Sequence, residues 1–315
     1  MAPAPTVDPG RLALWCTEHL GSAPADELFR SGHLSTVVGL LLVDGREVVI
    51  KVRPDCPRIA ACVDVQRRLF VAGYPCPQPL TDAVPFDGAI ATAETYVAGG
   101  AMLPSGARVG ESFAEAFALL IELAPAPTAV AGLDPVPSWA AWNHTENGIW
   151  PTPEDLDVNL NEVVGPQWID DAGRFARERL RSGNTEAVIG HCDWLAGNLR
   201  WTEDRLLVVH DWDSVVADSE AVLVGFAAAL HSTVSADKLA TVEDSERFLV
   251  AYCRARGREF TPDERERSWA AGVWTRAYDA KYQHAVGAPV TSLSESEAAQ
   301  RLTKARRLGA ARGHR

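Results

Sequence analysis

The spacing of apolar side chains divides the chain into a strand-rich beginning and a helical remainder. Over residues 11–30, Leu12, Trp15, Cys16, His19 and Leu20 fall on one face at helical spacing, which predicts a helix. Two runs rich in β-branched residues follow, 33–43 and 46–52, separated by Asp44-Gly45. An Asp-Gly pair between such runs predicts a hairpin, because both central residues of the tight turn need positive φ. Pro54, Pro57 and Gly73 bracket a helix over about residues 58–72, and Tyr74-Pro-Cys-Pro-Gln-Pro79 is an extended link that cannot be helical. A second Asp-Gly turn, Asp87-Gly88, joins short strands ending in Ala91-Thr-Ala-Glu-Thr-Tyr-Val97, and Gly99-Gly100 breaks the pattern.

Helical spacing then takes over. Phe113, Phe117, Leu120 and Ile121 line one face of a helix at 111–123, and further helices are predicted at about 160–182, 218–233, 236–257 and 264–285, with a basic tail from Arg301. The pattern predicts an α+β chain: a β-rich portion over 1–97 and a mainly helical one over 98–315. At 315 residues with 47% hydrophobic and 23% charged positions, the chain can bury a sizeable core. Its net charge of −12 disfavours phosphate backbones and anionic lipid and favours a neutral or cationic small molecule. The six cysteines are scattered without a CxxC pair, which fits free thiols in a reducing compartment. With neither a signal-like N-terminus nor an apolar run near the ~20 residues that cross a bilayer, a soluble cytoplasmic protein is expected.

The candidate chemistry lies in Gly190-His-Cys-Asp-Trp-Leu-Ala-Gly-Asn-Leu-Arg-Trp201 and in Leu206-Leu-Val-Val-His-Asp-Trp-Asp213. Residues 199–201 and 205–210 read as strands joined at Glu203-Asp204, with Thr202 facing Arg205 and Asn198 opposite Val209, close to Asp211. The hairpin thus carries an amide oxygen and a carboxylate to its open end, with Asp193 in the loop just before. Such oxygen ligands suit a hard divalent cation, Mg²⁺ above all.

His191-x-Asp193-x-x-x-x-Asn198, followed by an apolar strand and Asp211-Trp-Asp213, resembles the aminoglycoside phosphotransferase and choline kinase-like family. The resemblance covers roughly residues 25–260. It implies a bilobal protein-kinase-like fold, with a small β-rich lobe (1–97) binding the nucleotide and a larger helical lobe (98–315) for catalysis and the acceptor. By the same resemblance Asp193 is the base that receives the acceptor hydroxyl's proton, and Asn198 and Asp211 are the Mg²⁺ ligands. His191 supports the loop by hydrogen bonding or is simply a packed core histidine; Asp213 touches metal or substrate, or is a solvated loop cap. Val48-Val-Ile-Lys51 matches the strand motif whose lysine contacts the nucleotide phosphates, in the right order along the chain. Ser35 and Thr36, in Ser31-Gly-His-Leu-Ser-Thr36, stand where a loop covers the phosphates, although hydroxyls there also cap turns. Glu94 and Tyr96, in Glu94-Thr-Tyr-Val97, stand where a hinge binds adenine through backbone groups.

The chain departs from the family pattern in three places. The helix expected to supply a glutamate for Lys51 reads Ala61-Cys-Val-Asp-Val-Gln66, with Asp64 its nearest acid. Ala217-Asp218-Ser219 lacks a second aspartate, and Cys192 replaces a usual glycine. For the acceptor, Glu154, Asp155, Asp157, Glu162, Asp170 and Asp171 form an acidic run that either lines an amine pocket or is a solvated face. Trp139, Trp142 and Trp150 either stack on a ring or fill core; Trp269, Val273 and Tyr278 read as core. The expected activity is ATP-dependent phosphorylation of a small-molecule hydroxyl, with an amine-bearing antibiotic or amino sugar as the expected kind of acceptor. Two alternatives stand beside it: a metal-dependent hydrolase built on His191, Asp193, His210, Asp211 and Asp213, and a catalytically dead nucleotide-binding scaffold.

Overall fold

The computed structural model describes residues 4–310 except 33, 104–105, 107, 183–185 and 233–237. His33 of the predicted hairpin, and residues 233 and 236–237 of two predicted helices, therefore lie outside the described residues, as does the end of the basic tail.

The N-terminal portion is a five-stranded antiparallel sheet in the order β1-β2-β3-β5-β4, formed by β1 (Pro24–Gly32), β2 (Thr36–Leu42), β3 (Glu47–Pro54), β4 (Val84–Phe86) and β5 (Ala89–Thr95). The helix predicted over 11–30 is instead α1 (Pro9–Leu20) followed by β1. Asp8 caps its start through the Arg11 amide, and Gly21, at φ 73°, ends it. β1 is an edge strand with mostly exposed side chains, so it lacks the alternation that would mark it as a strand.

Strand alternation gives the sheet two different faces. Val38, Leu40, Val48, Ile50, Val52, Ala91 and Ala93 pack with Leu12, Trp15, Cys16 and Leu20 of α1 in one core cluster. In the register, Lys51 faces Thr92 and Val49 faces Glu94, so Lys51, Arg53, Thr92 and Glu94 share the opposite face. That face receives α2 (Arg58–Val71), whose Ala61, Cys62, Val65 and Leu69 belong to the core of the helical portion.

The helical portion contains α3 (Val109–Leu123), α4 (Gln167–Arg181), α5 (Glu220–Leu230), α6 (Val242–Arg256), α7 (Pro262–Ala285) and α8 (Glu295–Ala310). The predicted helix at 160–182 starts only at Gln167, after Pro166, and the predicted 218–233 helix is preceded by a strand. The described part of the basic tail belongs to a helix, α8. From Ala221 to Leu230 every residue of α5 is buried, as a helix apolar all round must be. Its Gly225 lets α7 come close: a Cβ there would lie 2.1 Å from the Ser268 carbonyl oxygen.

Two small ribbons connect sheet and helices: β6 (Ala187–His191) pairs with β9 (Val215–Ser219), and β7 (Leu199–Thr202) pairs with β8 (Arg205–Val209). All six cysteines are free thiols. Among the described residues no helix is long and apolar enough to cross a membrane.

Candidate active site

The ribbons fix two loops, 192–198 and 210–214, side by side. The Cys192 amide donates to the Ser214 carbonyl at 2.9 Å, and the His210 amide donates to the Asn198 carbonyl at 2.8 Å. Thr202 faces Arg205 as predicted, but the register slips between Arg200 and Trp201, so Leu199, not Asn198, faces Val209. The extra residue in β8 is a bulge, which re-aims the strand end and sets Asn198 against His210. Asp211 then turns in the left-handed region (φ 67°, ψ 48°), which aspartate tolerates better than most residues.

His191 ties the loops together. Its Nδ1 accepts from the Asp193 amide at 3.2 Å, so Nε2 carries the proton and donates to the His210 carbonyl at 3.2 Å. Burial pushes its pKa down to about 4, so the ring is neutral. With both nitrogens used inside the protein, His191 is a brace and not a metal ligand. Among the described residues no group of three or more His, Cys, Asp or Glu could hold a metal ion.

Asn198 turns its amide nitrogen toward Asp193, 2.9 Å from both the backbone carbonyl and Oδ2. That leaves the carboxamide oxygen as the atom able to serve a cation. Burial raises the Asp193 carboxyl to about 6, partly opposed by this hydrogen bond and aided by the Asp213 charge. Asp211 and Asp213 stand together. Burial and the neighbouring Asp213 charge hold Asp211 well above the usual carboxylate range. For Asp213, burial is outweighed by the Arg53 guanidinium, whose Nη1 lies 2.6 Å from Oδ2, and its pKa is lowered. The other Asp213 oxygen, Oδ1, is buried without a hydrogen-bond partner. Two adjacent partly buried carboxylates, one with an unmatched oxygen, beside a carboxamide oxygen form a hard-oxygen donor set, and it fits Mg²⁺.

Across this set lies Lys51, only 9% exposed. Burial alone would lower its pKa; the carboxylates of Glu94, Asp211 and Asp213 outweigh that and raise it, so the ammonium is kept. Its direct partner is Glu94 Oε1 at 3.2 Å. Glu94 Oε2 accepts from Gln66 Nε2 of α2 at 2.9 Å, and the same nitrogen donates to the Pro77 carbonyl at 2.9 Å. Asp64, the nearest acid in the predicted helix, is instead paired with Arg68 at 2.9 Å.

Glu94 therefore differs from the expected hinge residue. Its backbone is committed to the sheet beside Val49, and its carboxylate holds Lys51. The next two amides are also in use: Thr95 donates to Gln78 and Tyr96 to Glu47. Tyr96 lines a cavity of about 340 Å³ with Glu47, Val48 and Thr95, and its ring is 5.7 Å from that of Phe29. In the expected phosphate loop, Thr36 begins β2 and gives its hydroxyl to the Pro5 carbonyl at 2.6 Å, so that hydroxyl is already engaged. Ser35 sits partly buried in the turn, its carbonyl so near Gly32 that a Cβ there would come within 2.1 Å.

Two cations were not singled out in the sequence. Arg53 joins β3 to Asp213. Arg58, at the start of α2, is buried and donates to the carbonyls of Asp213, Val215 and Leu133, clamping the metal-side loop against the sheet portion. The signal for Arg53 was the strand alternation in Lys51-Val-Arg53; for Arg58 there was none.

On the far side of Asp193 lies a cavity of about 370 Å³, lined by Trp139, Asp193, Leu195, Leu230, Thr275 and Asp279 among others. Of the three predicted tryptophans only Trp139 reaches it; Trp142 and Trp150 are core, and their indoles donate to Asp218 and Asp170. The acidic run does not line it. Glu154 caps the Ser138 amide, Asp155 accepts from Tyr282, Asp170 pairs with Lys281, Asp171 pairs with Arg174, and Asp157 and Glu162 are exposed.

A family model described as "Phosphotransferase enzyme family" matches residues 27–269. Among solved structures, an amicoumacin kinase in complex with AMP-PNP, Ca²⁺ and Ami is 10% identical with a TM-score of 0.59, covering 92% of this chain and 90% of that one. A choline/ethanolamine kinase family protein from Mesorhizobium loti is 17% identical with a TM-score of 0.53, over 90% and 88% of the two chains. A spectinomycin phosphotransferase in complex with ADP and spectinomycin is 11% identical with a TM-score of 0.57, over 95% and 94%. These likenesses show the protein-kinase-like bilobal fold. No curated protein matches the chain.

Proposed function

The chain belongs to the phosphotransferase enzyme family, and from that premise we propose that it transfers the γ-phosphoryl group of ATP to a hydroxyl of a small molecule. The observation that carries the reading is the convergence of Asp193, Asn198 and Asp211 opposite Lys51. Nucleotides and small antibiotics in the similar solved structures support it. Residues 1–97 are the nucleotide lobe in this reading, and residues 98–315 the catalytic and acceptor lobe.

The Asn198 carboxamide oxygen and the Asp211 carboxylate would hold Mg²⁺, which when bound neutralises charge on the nucleotide phosphates. Lys51, steadied by Glu94, binds the phosphates from the sheet side. Asp193 accepts a hydrogen bond from the acceptor hydroxyl and takes its proton as the new O–P bond forms and the bond to ADP breaks. Its raised pKa makes that proton transfer easier than for an ordinary carboxylate. The Asn198 amide holds Asp193 in place, and His191 fixes the loop on which it sits. The acceptor approaches from the cavity of about 370 Å³, while positioning and electrostatics supply most of the rate.

The test is acceptor-dependent ADP release by the full chain with ATP and Mg²⁺ over a panel of hydroxyl compounds. Thermal shifts with ATP–Mg²⁺ are measured in parallel. The reading expects an ATP-dependent shift and turnover with some acceptor. No shift at all, with metal-dependent hydrolysis in the absence of nucleotide, would overturn it.

A further inference from the structure

Resting on the reading that the cavity facing Asp193 receives the acceptor, we propose that Asp279 selects an acceptor carrying a single ammonium group beside the hydroxyl to be phosphorylated. Thr275, Asp279 and Gln283 recur every four residues along α7 and so form one polar stripe, and all three line the cavity. Their situations differ. Gln283 is spent on structure: it accepts from the amides of Thr291 and Ser292, at 2.9 and 3.1 Å, and donates to the Thr291 hydroxyl. Asp279 meets no hydrogen-bond donor and no ion-pair partner among the described residues. The cation closest to hand, Arg276, is already committed to Glu297 and to the carbonyls of Ala229, Ala240 and Ser292. One turn away, the Thr275 hydroxyl is buried and likewise without a partner.

Besides Asp193, the rest of the wall is Trp139, Leu195, Leu230 and Leu239 with Thr291 and Ser292, whose hydroxyls are already engaged with Gln283 and the Arg276 carbonyl. Burial raises the Asp279 carboxyl to about 7, with the charge of Asp193 adding to that and Arg276 opposing it. A carboxylate placed there with no donor reaching it is costly unless a ligand supplies one. An ammonium does so with charge-assisted hydrogen bonds, and the Thr275 oxygen can accept one more. A neutral polyol leaves the charge uncompensated, and an anion would face two carboxylates. With Asp193 given to the hydroxyl, the one remaining acid in about 370 Å³ suits one positive charge on a compact molecule rather than a polycation.

The experiment uses the full chain with matched acceptor pairs: 2-aminoethanol with ethylene glycol, glucosamine with glucose, galactosamine with galactose. ADP release gives kcat and KM for each, and calorimetry in the presence of AMP-PNP gives binding without turnover. Wild-type protein is expected to favour the cationic member of at least one pair by tenfold or more. Asp279→Asn should raise the KM or Kd of that member at least tenfold, move kcat far less, and bring the ratio within the pair close to one. Asp279→Glu, which keeps the charge, should recover part of the preference. A wild-type protein that favours the cationic member of no pair, or an Asp279→Asn protein that keeps the wild-type ratio, would overturn the proposal. If discrimination is seen in binding while no acceptor releases ADP, Asp279 keeps its role and the phosphotransfer reading falls instead.

Discussion

Lys51 Nζ lies 3.2 Å from Glu94 Oε1, so the lysine takes its counter-ion from a neighbouring strand and not from the helix that follows it. The helix still takes part, at one remove, because Gln66 donates to the other Glu94 oxygen. The chain keeps the lysine and relocates the acid that holds it.

That relocation has a measurable consequence. Glu94→Gln leaves a buried ammonium with a weaker partner, and kcat/KM for ATP should fall about 10²-fold, the equivalent of ~3 kcal/mol for breaking a buried pair. Gln66→Leu removes one hydrogen bond from Glu94 and should cost about tenfold. The double variant Glu94→Gln, Gln66→Glu returns the carboxylate to the helix and should recover part of the single-variant loss. Steady-state kinetics across the three variants checks the order.

Arg58 should matter to stability more than its place at a helix start suggests. It serves three carbonyls from a site only 6% exposed. Arg58→Met fills the space but strips those acceptors of their donor, and should cost about 2–4 kcal/mol. Urea denaturation measures it; a midpoint equal to wild type would mean the clamp carries no net stability.

The neutral His191 makes a pH prediction. Its folded pKa, about 4, lies below the ordinary histidine value of 6.5, so the unfolded chain binds the proton more readily. Its contribution is complete above pH ~6.5 and is lost as the pH falls toward 4. Across that window wild type should lose up to ~3 kcal/mol relative to His191→Gln. The other buried histidines titrate alike in both proteins and cancel. Denaturation midpoints for the pair at pH 7, 5.5 and 4.5 test the sign.

The parts of the site legible in the sequence are those made by local geometry. Asn198 and Asp211 belong to one hairpin, and Asp193 stands five residues before the first of them, so spacing alone brings them together. Only the bulge in β8 was invisible, since apolar alternation cannot report one extra residue in a short strand. The acid for Lys51 was not legible because it is chosen by the pairing of β3 with β5, more than 40 residues apart. β1 was hidden because an exposed edge strand lacks a buried face to alternate with. The run from Glu154 to Asp171 looked like an acceptor wall only while its partners were unknown; Ser138, Tyr282, Lys281 and Arg174 account for most of its charge. Asp279, in contrast, was lost among the buried positions of α7, where its lack of a partner shows only in three dimensions.

The most direct measurement is the acceptor-dependent turnover of Asp193→Asn against wild type, with the affinity for ATP–Mg²⁺ measured on the same samples. Removing the proton acceptor while preserving shape should lower kcat by about 10²–10⁴-fold and leave nucleotide affinity within about threefold. Turnover equal to wild type would contradict the assignment of Asp193, and with it the chemistry drawn from the hairpin and the opposing lysine.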